Sequence, residues 1–361
     1  MTDYVTINGR QIIDRDGETP FIPRGYCVGH FDLERVGPSS FTDIDDGLDM
    51  GSNTIRYVVR WWGDYVYDLA HGFQKDWYSA SSFAPGHLDS AHVAALVARL
   101  TYARSQGLKT LVALDSNYGQ GASGSSSGSG DDFWDAPSSI GSIMRSRFVA
   151  MAQWLADNYG DLIDFMEPLV EPGGNNITPS TAEIQDLQEE VMDAVLGVQP
   201  QMLFIIGGLN YFHGNMTAAY RTSGGAHSGW GTYYKNKIIL TCDYFKGIIN
   251  APANWPLAVG HANTARSTHT VPVAIQQVGL ETSEGIDEAD SVAKLDTFLD
   301  LLDAPYDDDP IGYWVWEQTS VYDGGFGWWK LGINSISGDP DPTLGHVSKP
   351  LRRSMVAGHF V

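Results

Sequence analysis

Short apolar runs alternate with longer stretches of helical period along most of the chain. Phe21–Tyr26, Thr54–Val59, Thr110–Leu114, Phe165–Val170, Leu203–Gly207, Ile238–Cys242, Val273–Val278 and Gly312–Trp316 each read as a strand: a short, mostly apolar run. Between them, Ser90–Gln106 repeats Val93, Leu96, Val97 and Leu100 at three-and-four spacing and stops at Gly107. Arg147–Tyr159 carries Phe148, Met151, Trp154 and Leu155 in the same way, up to Gly160. Thr181–Val198 opens on Ser180-Thr-Ala-Glu183, the spacing at which a hydroxyl and a carboxylate each take the other residue's backbone N–H, and ends before Pro200. Glu288–Leu302 presents Val292, Leu295, Phe298, Leu299 and Leu302. Ahead of all these, Val5–Gly9 and Gln11–Gly17 form an opening hairpin, with turns at Asn8-Gly9 and Asp16-Gly17.

Strands that alternate with helices of this length pair in parallel through right-handed crossovers. Eight of them, apolar throughout and evenly spaced, predict a (β/α)8 TIM barrel with a short N-terminal β-hairpin. No glycine-rich dinucleotide fingerprint follows the first strand, which weakens a doubly wound sheet. The reading is a single domain over 1–361, with the hairpin in 1–20 and an extended loop over 115–137. Gly121–Gly130 is almost entirely Gly and Ser, and it is read as part of that loop because the strand–helix alternation resumes beyond it.

Composition narrows the function. Hydrophobic residues make up 43% of the 361 and charged residues 18%, enough apolar surface for a large core. The net charge of −22 repels phosphate backbones and anionic membranes, so nucleic acid is not an expected partner. No apolar window reaches the about 18–20 residues of a membrane span, and Met1–Arg10 lacks the pattern of a signal peptide. Cys27 and Cys242 are far apart and define no metal site, and His213, His227, His261 and His269 stand in loop-like stretches without ligand spacing. No cofactor is expected. Asp307–Asp309 reads as a solvated loop.

In a barrel of this kind chemistry sits at the C-terminal ends of the strands. The third strand ends in Asp115-Ser-Asn117, the fourth in Val170-Glu171-Pro172, the sixth in Asp243-Tyr244, the seventh in Gln276-Gln277 running on to Glu281, and the eighth in Trp316-Glu317-Gln318. Arg56 lies among apolar residues of the second strand, where a charge needs a partner; a carboxylate of the site is the expected one. Trp61-Trp62, Trp77-Tyr78, Phe133-Trp134, Trp230 and Trp328-Trp329 supply flat apolar faces of the kind that stack on sugar rings.

The opening hairpin into Pro23-Arg-Gly-Tyr26, Gly51-Ser-Asn-Thr-Ile-Arg56, Gly107-Leu-Lys-Thr-Leu-Val112 and Phe165-Met-Glu-Pro-Leu-Val-Glu-Pro172 resembles glycoside hydrolase family 5, the cellulase-like retaining enzymes built on a (β/α)8 barrel, from about Val5 to Trp316. The resemblance implies a β-glycosidase acting on a β-linked oligosaccharide, polysaccharide or glycoconjugate. Together with the acidic charge it favours an extracellular location. The family's Asn-Glu-Pro falls on Val170-Glu171-Pro172, which makes Glu171 the implied acid/base and puts Val where the family has its sugar-contacting Asn. The family's His-x-Tyr falls on Cys242-Asp-Tyr244, so that Tyr244 would bond the nucleophile. Trp316 would form the floor under the sugar, and Asp115 and Asn117 fall where the family often has His-Asn. The family's nucleophile position falls on Gln277, within Pro272-Val-Ala-Ile-Gln-Gln-Val-Gly279.

A carboxamide cannot form the glycosyl ester through an ionised oxygen. Three readings of Gln277 stand open: an inactivating Glu-to-Gln exchange that keeps the shape, a nucleophile displaced to Glu281, or a sugar-binding barrel without turnover.

Overall fold

The computed structural model describes residues 4–28, 41–59, 90–115, 139–170, 172, 179–208, 213–244, 252–279, 288–303, 310–315, 319–320, 329–331, 346–348 and 350–360. An antiparallel hairpin, β1 (Thr6–Asn8) and β2 (Gln11–Ile13), opens the chain, with Gly9 at φ +60° in its turn, a conformation that suits glycine. Then come β3 (Arg24–Val28), β4 (Thr54–Val59), β5 (Lys109–Asp115), β6 (Phe165–Val170), β7 (Leu203–Gly207), β8 (Ile238–Thr241), β9 (Asp243–Tyr244), β10 (Ala274–Val278) and β11 (Gly312–Val315). They form one sheet in the order β8-β7-β6-β5-β4-β3-β11-β10-β9, with neighbouring strands parallel. Since β8 and β9 are successive pieces of one strand broken at Cys242, the pairing of β10 with β9 brings the sheet round on itself, and a bridge between Leu240 and Val273 reinforces the seam. The architecture is a (β/α)8 barrel.

The helices α1 (Thr42–Asp49), α2 (Ser90–Ser105), α3 (Ser139–Tyr159), α4 (Thr181–Leu196), the short α5 (Met216–Ala219) and α6 (Trp230–Tyr233), α7 (Trp255–His269), α8 (Glu288–Asp303) and α9 (Pro350–His359) follow the strands. The expected capping box is present on α4, with Ser180 Oγ accepting from the Glu183 N–H and the Glu183 carboxylate accepting from the Ser180 N–H. Gly107 ends α2 at φ +87°, and the Leu108 N–H reaches back to the Ala103 carbonyl. Gly160 acts differently from expectation: it opens the short 3-10 turn Gly160–Leu162 rather than capping α3 in a left-handed conformation.

Two hydrophobic layers position everything else. The larger lies between strands and helices; the smaller fills the barrel itself. The inner cluster joins Cys27, Leu111, Phe165, Leu203, Ile205, Ile239, Ala274 and Trp314 to Val5, Ile7, Ile12 and Phe21, so the hairpin plugs the barrel's N-terminal end. Ion pairs at the strand starts fix it there: Lys109 Nζ to Asp14 at 2.7 Å and Arg15 Nη2 to Asp164 at 2.5 Å. Phe21 belongs to this plug, stacked 6.3 Å from Phe165, and the first barrel strand begins at Arg24 rather than Phe21 because Pro23 has no N–H to give a neighbour.

At the same end α9 docks on α8 through His359, whose Nδ1 lies 2.8 Å from Asp303 Oδ2 and whose Nε2 lies 3.0 Å from Asp296 Oδ1. Burial disfavours the imidazolium, but hydrogen bonds and charge from Asp303 and Asp296 outweigh it and raise the His359 pKa. A raised folded-state pKa gives stability that is complete below the unfolded value of about 6.5 and is lost as pH rises through the folded value. The melting-temperature difference between the chain and His359→Asn is therefore expected to be largest near pH 6 and to shrink above it; a difference constant with pH would show that the two carboxylates do not hold a cation.

Candidate functional site

Alternation along the barrel strands sets which side chains face inward. On β4, Arg56 points into the barrel and is fully buried. Its partner is Glu167 on β6, also fully buried, with Arg56 Nε and Nη2 donating to Glu167 Oε2 at 3.0 and 2.7 Å. Burial works against the Arg56 cation, and the Glu167 carboxylate overrides it, so the guanidinium stays protonated. Arg56 Nη1 also lies 3.6 Å from Cys27 Sγ on β3, and Cys27 in turn donates to the Gln276 carbonyl at 3.3 Å. Burial pushes the Cys27 thiol up to about 12 despite the guanidinium, so it is a structural thiol. The Arg56 partner is thus Glu167, not the expected catalytic carboxylate. Glu167 was legible in the sequence: two residues beyond Phe165 on a strand, it shares that residue's inward face.

Tyr244 differs from expectation as well. It packs in the outer layer edge-on to Phe298 of α8 at 5.3 Å, and its hydroxyl donates to the Ala258 carbonyl of α7 at 2.8 Å. A strand shows alternate residues to alternate faces, and the inward series is Ile239, Thr241, Asp243. Asp243 is therefore the inward residue at the end of the sixth barrel strand. It is buried, and its charge is felt at both Arg56 and Cys27.

Gln277 sits near the C-terminal end of β10, buried at 2% exposure, as a register partner of Asp243. The next pair, Val278 with Tyr244, packs in the outer layer, which assigns Gln277 and Asp243 to the inner face. An irregularity between Ile275 and Val278 turns two successive residues, Gln276 and Gln277, away from the outer layer. The Gln276 N–H donates to Thr241 Oγ1 at 2.9 Å, tying the seventh strand to the sixth at this level.

Above the Arg56–Glu167 pair, Val58, Ala113 and Val170 form a small apolar cluster. Val170 thus contributes an apolar contact where the family resemblance led one to look for an amide. The Asp115 backbone ends β5 as a register partner of Val170. Glu171, Asn117, Glu281 and Trp316 lie outside the described residues. Most of the aromatic pairs do too, but Trp230 does not. It is fully buried, edge-on to Tyr220 and Tyr234 at 5.9 and 6.2 Å, and is core rather than a sugar platform. His261 and His269 stand on α7 rather than in loops, and His227 bonds Asp193 at 2.8 Å. Among the described residues there is no cluster of three or more His, Cys, Asp or Glu arranged to hold a metal ion, and no helix long and apolar enough to cross a membrane.

The barrel is similar in fold to cellulase-like glycoside hydrolases. The endocellulase of Pyrococcus horikoshii superposes with a TM-score of 0.61 over 100% of both chains, at 12% identity. Thermotoga maritima Cel5A, solved in complex with cellobiose, gives 0.59 at 13% identity over 92% of this chain and 97% of its own. The catalytic domain of a Streptomyces mannanase gives 0.56 at 16% identity over 97% and 88%. No protein-family model matches the chain, and no curated protein matches it in sequence. At these identities the likeness is one of fold, and the fold expected from the family 5 resemblance is the one observed.

Proposed function

We propose that the chain carries the site of a retaining β-glycosidase for a β-linked glycan or glycoconjugate, with Glu171 as acid/base and position 277 as the nucleophile position, held neutral by Gln277. The observation that carries this reading is Gln277 itself, on the inner face near the C-terminal end of the seventh barrel strand, where this architecture presents residues to a ligand. The fold shared with Thermotoga maritima Cel5A, solved once with cellobiose and once with mannotriose, supports a β-glycan as the ligand class. In this mechanism two carboxyl groups about 5–5.5 Å apart flank the scissile bond. Glu171 gives its proton to the departing oxygen while a carboxylate at 277 bonds the anomeric carbon; water, deprotonated by Glu171, then cleaves that ester. With a carboxamide at 277 the first bond does not form, and binding remains.

The test compares the chain with Gln277→Glu on β-glucans, mannans, xylans and β-linked glycolipids. Product release from the variant alone, on a glycan that the unaltered chain binds by calorimetry, is the expected result. Release by the unaltered chain would transfer the nucleophile to Glu281. Binding without release by either protein would favour the second reading, a glycan-binding barrel, for which the buried carboxylate of Asp243 beside Gln277 already speaks.

A further inference from the structure

The neutral residue at 277 has a neighbour that accounts for it. Parallel strands in register point paired side chains to the same face, so Asp243 and Gln277 stand side by side inside the barrel. Asp243 is 4% exposed and Gln277 2%. The charged and titratable groups that face this level, among the described residues, are Cys27 from β3, Arg56 from β4, Glu167 from β6 and Asp243 itself; β7 and β8 offer Gly207 and Thr241. Arg56 is the cation of that set, and its Nε and Nη2 are already committed to Glu167. Among the described residues, one guanidinium thus faces two buried carboxylates. A Glu at 277 would make a third, next to Asp243, and like charges at that separation do not both ionise readily away from water.

We propose that Asp243 is a positioning residue that sets the charge at position 277: with a carboxylate fixed on the paired strand, the barrel accommodates a neutral carboxamide there and not a second ionised carboxylate. This deepens the glycosidase reading, since it concerns the position to which that reading assigns the nucleophile. It makes Gln277 a residue matched to its surroundings rather than an isolated exchange, and it implies that a Glu placed at 277 ionises at lower pH once residue 243 is neutral.

The experiment is thermal unfolding of the chain, Gln277→Glu, Asp243→Asn and the double variant, each near pH 4.5 and near pH 8. A Glu whose folded pKa is raised costs nothing below its unfolded pKa of about 4.3 and its full amount above the folded value. Gln277→Glu is expected to melt closest to the chain near pH 4.5 and about 2–4 °C below it near pH 8. The double variant is expected to follow Asp243→Asn at both pH values. A gap that is the same at both, or that persists unchanged in the double variant, would overturn the proposal. If Asp243→Asn does not fold, Asp243→Ser takes its place, and the pH dependence of Gln277→Glu alone still decides against the proposal when it is absent. No melt requires turnover, so failure of every protein to cleave any glycan would remove the glycosidase reading and leave this one, while pH-independent melting would remove this one whatever Gln277→Glu hydrolyses. In a variant that does turn over, the acid limb of the pH profile is expected to lie at least tenfold in proton concentration lower in pH for the double variant than for Gln277→Glu.

Discussion

Replacing Glu167 by Leu is expected to cost about 3–5 kcal/mol of stability, read as a fall in the urea midpoint. Both members of the Arg56–Glu167 pair are fully buried, and Glu167 Oε2 accepts from Arg56 Nε and Nη2. Removing the carboxylate leaves a guanidinium that cannot shed its proton and cannot reach water through the plugged end of the barrel. Removing both charges is a different experiment. Arg56→Met with Glu167→Leu fills a similar volume with apolar groups, and buried pairs exchanged in this way are commonly neutral or stabilising. The double variant is therefore expected to recover most of the lost stability. It also separates two roles that a single substitution confounds: where the unaltered chain binds a glycan as proposed, binding kept by the recovered barrel would assign the pair to the fold, and binding lost would assign Arg56 to the ligand through the polar layer it organises. A Glu167→Leu variant as stable as the parent would mean that Arg56 finds another anion inside the barrel, with Asp243, whose charge it already feels, the first to examine.

The barrel was legible in the sequence because its strands are buried on both faces, so that each reads as a mostly apolar run; Thr54–Val59, Phe165–Val170 and Leu203–Gly207 emerge with their expected bounds. The same property hides which way a side chain points. With no polar–apolar alternation to mark the faces, Tyr244 passed for an inward residue and Asp243 for the spacer, although a one-residue slip exchanges the two. Glu167 is inconspicuous for the opposite reason: Glu171, directly after the apolar run and followed by Pro172, draws attention to the strand end. Helix α1 escaped because Gly47 and a run of acids interrupt its pattern, yet Gly47 is there for packing: a Cβ would lie 2.1 Å from Tyr26 Cε1. Helices α7 and α9 carry weak signals of their own, and α9 is held by polar contacts such as those of His359 that no periodicity announces.

In the Gln277→Glu background, Glu171→Gln is expected to lower kcat on an unactivated β-glycan by about 10²–10⁴-fold, the usual contribution of a positioned proton donor. The size of the loss should depend on the leaving group. An alkoxide departs poorly without a proton, whereas a nitrophenolate departs as the anion, so an aryl glycoside should lose far less in the step that forms the ester and should then accumulate it, because the same residue must deprotonate the incoming water. A burst of phenolate followed by slow turnover is the expected trace. The pH profile carries the complementary information. In the proposed mechanism Glu171 acts while protonated, so its titration would produce the alkaline limb of kcat/KM, and that limb should vanish in the Glu171→Gln variant. In the same mechanism a carboxylate at 277 acts while ionised and would produce the acid limb, the one that Asp243, its register partner, is expected to move upward. The two limbs thus report on two different strands, and substitutions at 171 and 243 should act on one limb each. An alkaline limb that survives Glu171→Gln would take the proton donor away from the fourth barrel strand; an acid limb indifferent to Asp243 would return position 277 to a carboxylate that the barrel could hold unaided.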